Sequence, residues 1–320
     1  MGKGINRTID SGGFAGRVRW KRMKENRLYY ILALPGVLFL LLFNYAPMAG
    51  LYMVFERYTY EGGLFGSEFV GFRNFEFFFR NLSDALRATR NTLVINGVSI
   101  LLGIAVNVAI AVCLNELRSR KFRTAVQSVM LFPYFISWIA VGTISMAFLD
   151  GDKGLLNQLL SSIGIRTVNW YMNADYWWPI MILIRVWKQM GYGSLIYYAA
   201  ILNFDQSLYE AAKIDGASRW KQITSITVPL LKPTIAIMFL LEIGRVLLGS
   251  AEEIMGMTQL NPMLLRTTDT IATFVYRTAI VNGQFEAASA ITLYQSVFGF
   301  LLVLAANLIV RKVDPEYSLF

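Results

Sequence analysis

The stretch YYILALPGVLFLLLF at residues 29–43 carries no charged side chain, and it is one of six such apolar runs in the chain. A helix needs roughly 20 consecutive apolar residues to cross the hydrocarbon core of a bilayer. The runs fall at about 29–55, 92–115, 126–149, 176–202, 226–250 and 290–310, which predicts an all-α polytopic membrane protein with six transmembrane helices. The first run could be mistaken for a secretory signal. Its apolar part is too long for one and no small-x-small cleavage site follows Phe43, so it counts as a span.

Composition agrees. Of 320 residues, 55% are hydrophobic and only 16% charged, where a soluble chain carries about 25% charged. The net charge of +9 is unevenly placed, with eight of the thirty Lys and Arg in residues 1–28. A basic tail next to a span reads as a cytosolic anchor beside anionic membrane lipid, not as a nucleic-acid site. With the N-terminus inside, the inner segments hold eighteen Lys and Arg against nine outside. The positive-inside rule therefore predicts cytosolic N- and C-termini. Four parts follow: a basic tail over 1–28, a first span with an outer loop over 29–91, a core of the remaining five spans over 92–311, and a short tail over 312–320.

Several chemistries are excluded. There is no histidine, and Cys113 stands alone, so the chain has neither a His-based nucleophile nor a cysteine metal cluster. No G-x-x-x-x-G-K-[ST] phosphate loop is present; GDKGLL at 151–156 lacks the spacing. Catalytic and metal-ligating residues are both predicted to be absent.

The segment SLYEAAKIDGASRW at 207–220 is polar and small-residued between two apolar runs. Ser207 and Glu210 have capping-box spacing, Leu208, Ala211 and Ala212 share one helix face, and Asp215-Gly216 signals a turn. A second short helix from Ala217 leads toward Pro229 and Pro233. This helix–turn–helix presents little side chain and suits close approach by another protein. Glu210-Ala211-Ala212, then Gly216, then Ile226-Thr227-Val228-Pro229 resembles the cytosolic EAA loop of bacterial ABC importer permeases, with Val228 where that family usually has Leu. The stretches EFVGFRNFEFFF (68–79) and RNTLVINGVSILLGIAVNVAIAVCLNE (90–116) resemble the carbohydrate-uptake branch and its maltose-type first permease. NPMLLRTTDTIATFVYRTAI (261–280), with GQFEAASAITLYQSVFGFLLVLAANLIVRK (283–312), is similar to a sub-branch importing oligosaccharides of acidic polysaccharides.

The resemblance implies an ABC type I importer permease bundle in a bacterial cytoplasmic membrane. Its loop, over 203–225, would form coupling helices seated on an ATPase subunit through Glu210, Ala211, Ala212, Gly216 and Ala217. It implies two ATP-binding subunits holding ATP and Mg, a second homologous permease, and an extracytoplasmic solute-binding protein that delivers an oligosaccharide. This chain would bind no cofactor itself.

Charges at membrane depth are costly unless they face a partner or a wet cavity. Arg185, Lys188 and Tyr192 share one face of the fourth span, and Glu242 and Arg245 are three residues apart on the fifth. Structural ion pairing, Glu242 with Arg245 or Lys188, competes with a role in the substrate path. Two cations against one carboxylate favour a cavity attracting acidic sugars. The paired acids Asp150/Asp152 and Glu252/Glu253 are assigned to outer loops. The rival readings are an ion-driven secondary transporter, which would show inverted halves and buried acids, an ABC permease for a non-sugar solute, and a membrane-embedded transferase, which would need clustered acids.

Overall fold

The computed structural model describes residues 26–313 and 315; most of the predicted basic tail over 1–28 and most of the C-terminal tail lie outside them. Helix α1, Arg27–Phe55, begins as an α-helix, relaxes to a π turn over Leu41–Tyr45 and tightens to a 3-10 helix over Ala46–Phe55. None of its most apolar window is buried, as expected for a helix whose surroundings are lipid or another subunit. Beyond it, β1 (Glu56–Arg57) pairs antiparallel with β2 (Glu68–Phe69) in the predicted outer loop.

Helix α2, Leu82–Glu116, starts ten residues before the predicted second span. Its polar first turns hold the 266–277 segment: Arg87 pairs with buried Asp269, and Asn91 donates to the carbonyls of Arg266 and Asp269. A hydropathy reading has no access to that partner.

The third apolar run is not one straight span. Helices α3 (Arg120–Phe135) and α4 (Trp138–Leu149) meet at 98°. Ile136 and Ser137 are extended, and Ser137 caps α4 by accepting from Ala140 N at 3.2 Å. After α5 (Leu155–Ser162) comes α6, Trp177–Leu202, which matches the predicted fourth span to one residue. Between them Tyr171 donates its hydroxyl to the Met257 carbonyl. Burial, with the Asp150 charge adding, pushes that phenol up to about 12, so it stays a donor at any physiological pH.

The fifth run also bends. The short α7 (Gln206–Ile214) precedes α8 (Arg219–Leu230), which meets α9 (Lys232–Ile243) at 52° beside Pro229 and Pro233. Helix α9 stops at Ile243 rather than reaching Ser250, so Arg245 lies in the turn that follows. Helix α10, Ala251–Thr258, covers the predicted outer-loop acids and packs against α4. The contact is backbone to backbone: a Cβ on Gly142 would sit 1.8 Å from the Gly256 carbonyl oxygen. Helices α11 (Ile271–Val281) and α12 (Phe285–Val313) complete the chain, α12 being the predicted sixth span extended at both ends.

By length and apolarity three helices of the described residues can cross a membrane, or five if each bent pair is one span. The 26-residue α6 is long enough but is not among them; Arg185, Lys188 and Gln189 interrupt its middle. Helices α2 and α6 pack along each other at the centre. Ile95 joins Trp177, Met181, Ile254 and Met257 toward one end, and Ala111 and Leu114 join Tyr197, Tyr198 and Ile201 toward the other.

Candidate functional site

Two places collect the predicted residues. The first is the 203–229 loop. Asp205, not Ser207, caps α7: its carboxylate accepts from Ser207 N at 2.9 Å. The backbone and hydroxyl of Ser207 hold that carboxyl below the usual carboxylate range. The predicted Ser207–Glu210 capping box is therefore replaced by an aspartate cap two residues earlier, and the Glu210 carboxylate is left exposed. Gly216 ends the helix at φ +76, with Ala217 N bonded to Ala212 O at 2.8 Å and Gly216 N to Lys213 O at 3.1 Å. That is a Schellman closure, which needs a residue tolerant of positive φ. Ser218 then caps α8.

The helix pair is tied to the bundle through Tyr209, whose hydroxyl lies 3.0 Å from Thr227 Oγ1, and through Arg219, which pairs with Glu116 at 3.9 Å. Tyr209 and Ala212 face inward, half-buried, while Leu208 and Ala211 face out, so the predicted Leu208–Ala211–Ala212 face is split. Ile214 and Trp220 are 87% and 74% exposed. Glu210, Ala211 and Gly216 lie on the open surface, with Ala212 and Ala217 half-buried beneath them. A small, ordered, partly apolar knob on a polar loop is shaped to seat in another protein.

The second place is a cavity of about 390 Å³ between α2, α6, α9 and α10. Arg185, Tyr192, Glu242 and Arg245 line it together, drawn from two helices and a turn. Lys188 is not among the lining residues. Its ammonium points to the α3–α4 break and donates to the carbonyls of Pro133 (3.1 Å), Tyr134 (2.8 Å) and Ile136 (2.5 Å).

Arg185 does not stand free either. It makes a forked pair with Glu253, Nε to Oε1 at 2.8 Å and Nη2 to Oε2 at 2.7 Å, and its third nitrogen meets the Asn96 side-chain oxygen. Asn96 in turn donates to the Val246 carbonyl. One buried knot thus ties α2, α6, α10 and the turn after α9. Two predictions change as a result. Glu253 is 3% exposed and ion-paired rather than free in an outer loop, and the predicted pairing of Glu242 with Arg245 or Lys188 does not form. Among the described residues neither Glu242 nor Arg245 makes an ion pair. The cation left facing the cavity without a carboxylate partner is Arg245, in place of the predicted Arg185 and Lys188.

Sequence reasoning also missed the aromatic wall. Tyr192 stacks on Tyr134 with ring centroids 4.7 Å apart and planes 12° apart, and Trp138 lines the same space. Asn107 and Gln189 add amide groups. Stacked rings, amides and the unpaired Arg245 guanidinium, with the Glu242 carboxylate also unpaired in the same space, form a surface able to hold a polyhydroxylated ring whose carboxylate pairs with Arg245. The expected excess of two cations over one carboxylate is reduced to one of each. The signal for Glu253 was present in Ser250-Ala251-Glu252-Glu253, which has helix-start spacing. Tyr134 and Trp138 had no local signal, because only the break between α3 and α4 turns them inward.

Comparison with known proteins shows the family. Residues 99–315, more than half of the chain, match the family described as binding-protein-dependent transport system inner membrane component. Protein LplB of Bacillus subtilis (strain 168) is 34% identical over 92% of this chain and 92% of its own length. The polygalacturonan/rhamnogalacturonan transport system permease protein YteP of the same organism is 33% identical, over 92% of this chain and 91% of its own. Among solved structures, a chain of a bacterial alginate ABC transporter, in complex with its alginate pentasaccharide-bound periplasmic protein, superposes with a TM-score of 0.82. It is 34% identical, covering 92% of this chain and 97% of that one. The chain therefore belongs to the binding-protein-dependent transport system inner membrane components, the membrane-embedded permease subunits of ABC transporters.

Proposed function

We propose that this permease carries uronate-containing oligosaccharides inward as one subunit of an ATP-driven, binding-protein-dependent importer. The observation that carries the substrate is the cavity, where the stacked pair Tyr134–Tyr192 stands with the unpaired Arg245. Names of relatives point the same way, since polygalacturonan, rhamnogalacturonan and alginate all bear carboxylates. In this reading the bilayer is the cytoplasmic membrane, both termini are cytosolic, and Glu210, Ala211, Ala212, Gly216 and Ala217 contact an ATP-binding subunit. Two such subunits hold ATP and Mg, a second homologous permease closes the open side of the cavity, and a solute-binding protein delivers the sugar from outside.

The work done by this chain is mechanical. Closure of the ATP-binding subunits moves the helix pair α7–α8. Tyr209–Thr227 and Arg219–Glu116 pass that motion to α8 and to α2, which lines the cavity, so the two faces of the bundle open in turn. A charge-assisted hydrogen bond to a buried carboxylate contributes about 1.5–3 kcal/mol. In proteoliposomes holding the complete importer, Arg245→Gln is thus expected to raise KM for a uronate oligosaccharide at least tenfold. KM for a neutral oligosaccharide, if one is carried, stays the same. Equal KM values for the uronate in parent and variant remove Arg245 from the path, and no uptake of any oligosaccharide by the parent removes the substrate class.

A further inference from the structure

The geometry points to Lys188 as a built-in cation that holds the α3–α4 break and thereby positions the aromatic wall of the cavity. Three observations meet there. The last carbonyls of a helix lack their regular partner within it. That of Tyr134, with that of Pro133, which also accepts from Ile136 N at 3.2 Å, and that of Ile136 just past the helix, converge on the Lys188 ammonium at 2.5–3.1 Å. That end of α3 is also the negative end of its dipole, which favours a cation. The same ammonium sits 5.8 Å from the centroid of the Tyr134 ring and 5.2 Å from that of Trp138, a separation at which a ring face attracts a cation.

The side chain is buried, at 7% exposure, so it is not available to a solute. Helix α6 comes close enough to make these contacts because Gly191, one turn after Lys188, meets the α3 backbone. A Cβ there would lie 1.9 Å from the Met130 carbonyl oxygen. Tyr134 and Trp138, on opposite sides of the break, both line the cavity, and Tyr134 carries Tyr192 by stacking. Lys188 touches no substrate. It sets where the rings stand, and so acts as a positioning residue.

A cation cage of three helix-end carbonyls is a general way to bind a small cation. Here the chain supplies the cation itself, which predicts that a small free one can replace it. The inference rests on the proposed sugar path for its transport readout, and the experiment separates the two.

The complete importer is prepared with 5-fluorotryptophan, and the Trp138 fluorine resonance is identified by its loss in Trp138→Phe. In Lys188→Met, which keeps length but loses the charge and donors, the Trp138 resonance shifts. KM for uronate uptake rises at least fivefold while the maximal rate stays within about twofold. Methylammonium at 100 mM moves both back toward the parent, and tetramethylammonium, too large for three converging carbonyls, does not. Where Lys188→Met fails to assemble, Lys188→Gln retains two N–H donors and carries the same measurements. A Trp138 resonance unchanged in the assembled variant overturns the inference. So does a fall in maximal rate with KM unchanged and no methylammonium effect, which is the pattern of general loss of structure. If the parent carries no oligosaccharide, the substrate reading fails, while the resonance and its methylammonium recovery still decide the role of Lys188.

Discussion

Glu253 gives both carboxylate oxygens to Arg185 while almost wholly buried. Removing one partner of a buried ion pair costs about 3–5 kcal/mol, because the other charge is left uncompensated, whereas replacing both with apolar groups is often neutral. Glu253→Leu is therefore expected to lower the melting temperature of the detergent-solubilised importer. Arg185→Leu combined with Glu253→Leu restores part of the loss, the shortfall being Asn96, whose side-chain oxygen then has no donor. A double variant that melts below Glu253→Leu alone contradicts this account. That Arg185 needs either a partner or a wet cavity was evident from its place in an apolar run, and the cavity was the expectation. Which acid it takes was not evident, because Glu253 is 68 positions away and reaches Arg185 only through the packing of α10 on α4.

Helices α4 and α10 touch through glycines. A Cβ on Gly142 would overlap the Gly256 carbonyl, and one on Gly256 would stand 2.6 Å from the Trp138 carbonyl oxygen. Inserting a methyl group into such a contact costs about 1–3 kcal/mol. Gly142→Ala and Gly256→Ala are expected to destabilise the importer in a thermal melt. Gly97→Ala, on α2 with open space around it, serves as the control and is expected to be neutral or stabilising, since alanine is favoured over glycine in a helix by about 0.8–1 kcal/mol. Three variants with equal melting temperatures sink the argument. Gly256 lies one turn after Glu253, so a shift of α10 also reaches the Arg185 knot.

Helices themselves were partly legible. The run over 176–202 and α6 differ by one residue at the start, and the Gly216 turn falls where the Asp-Gly pair placed it. The α3–α4 break was not. Pro133 and Ser137 both stand in that run, yet a proline and a serine alone do not require a 98° turn. Lys188, from another helix, stabilises the exposed carbonyls that make the turn affordable. The cap of α7 fell on Asp205 because its carboxylate reaches Ser207 N in the extended residue before the helix, which leaves Glu210 outward.

Across the assembly, the distribution of charge separates ATP-driven from ion-driven transport. A cage of helix-end carbonyls and an unpaired acid such as Glu242 in the cavity are parts an ion-coupled carrier would use. Here the cage is filled by Lys188, and the ordered loop at 203–229 offers an external lever instead. Uptake by proteoliposomes with ATP held constant inside is therefore expected to continue at an unchanged rate when proton and sodium gradients are collapsed with ionophores. Loss of uptake under those conditions overturns the coupling described here.

Residue order alone dictated that the chain is a helical membrane protein, that it lacks its own phosphate loop, and that residues 207–229 form an ordered knob with the permease spacing. Those properties are local: apolar run length, missing residue types, caps and a glycine turn are each read within about 20 positions. Tertiary structure decided which helices bend, which charges are consumed and which remain. Arg185 went to Glu253, Lys188 to three carbonyls, and Arg245, past the end of its helix, was left facing the cavity. The reason is physical. The free energy of a charge at membrane depth depends on whichever polar groups packing brings within about 3 Å, and those partners came from segments 52 to 89 positions away.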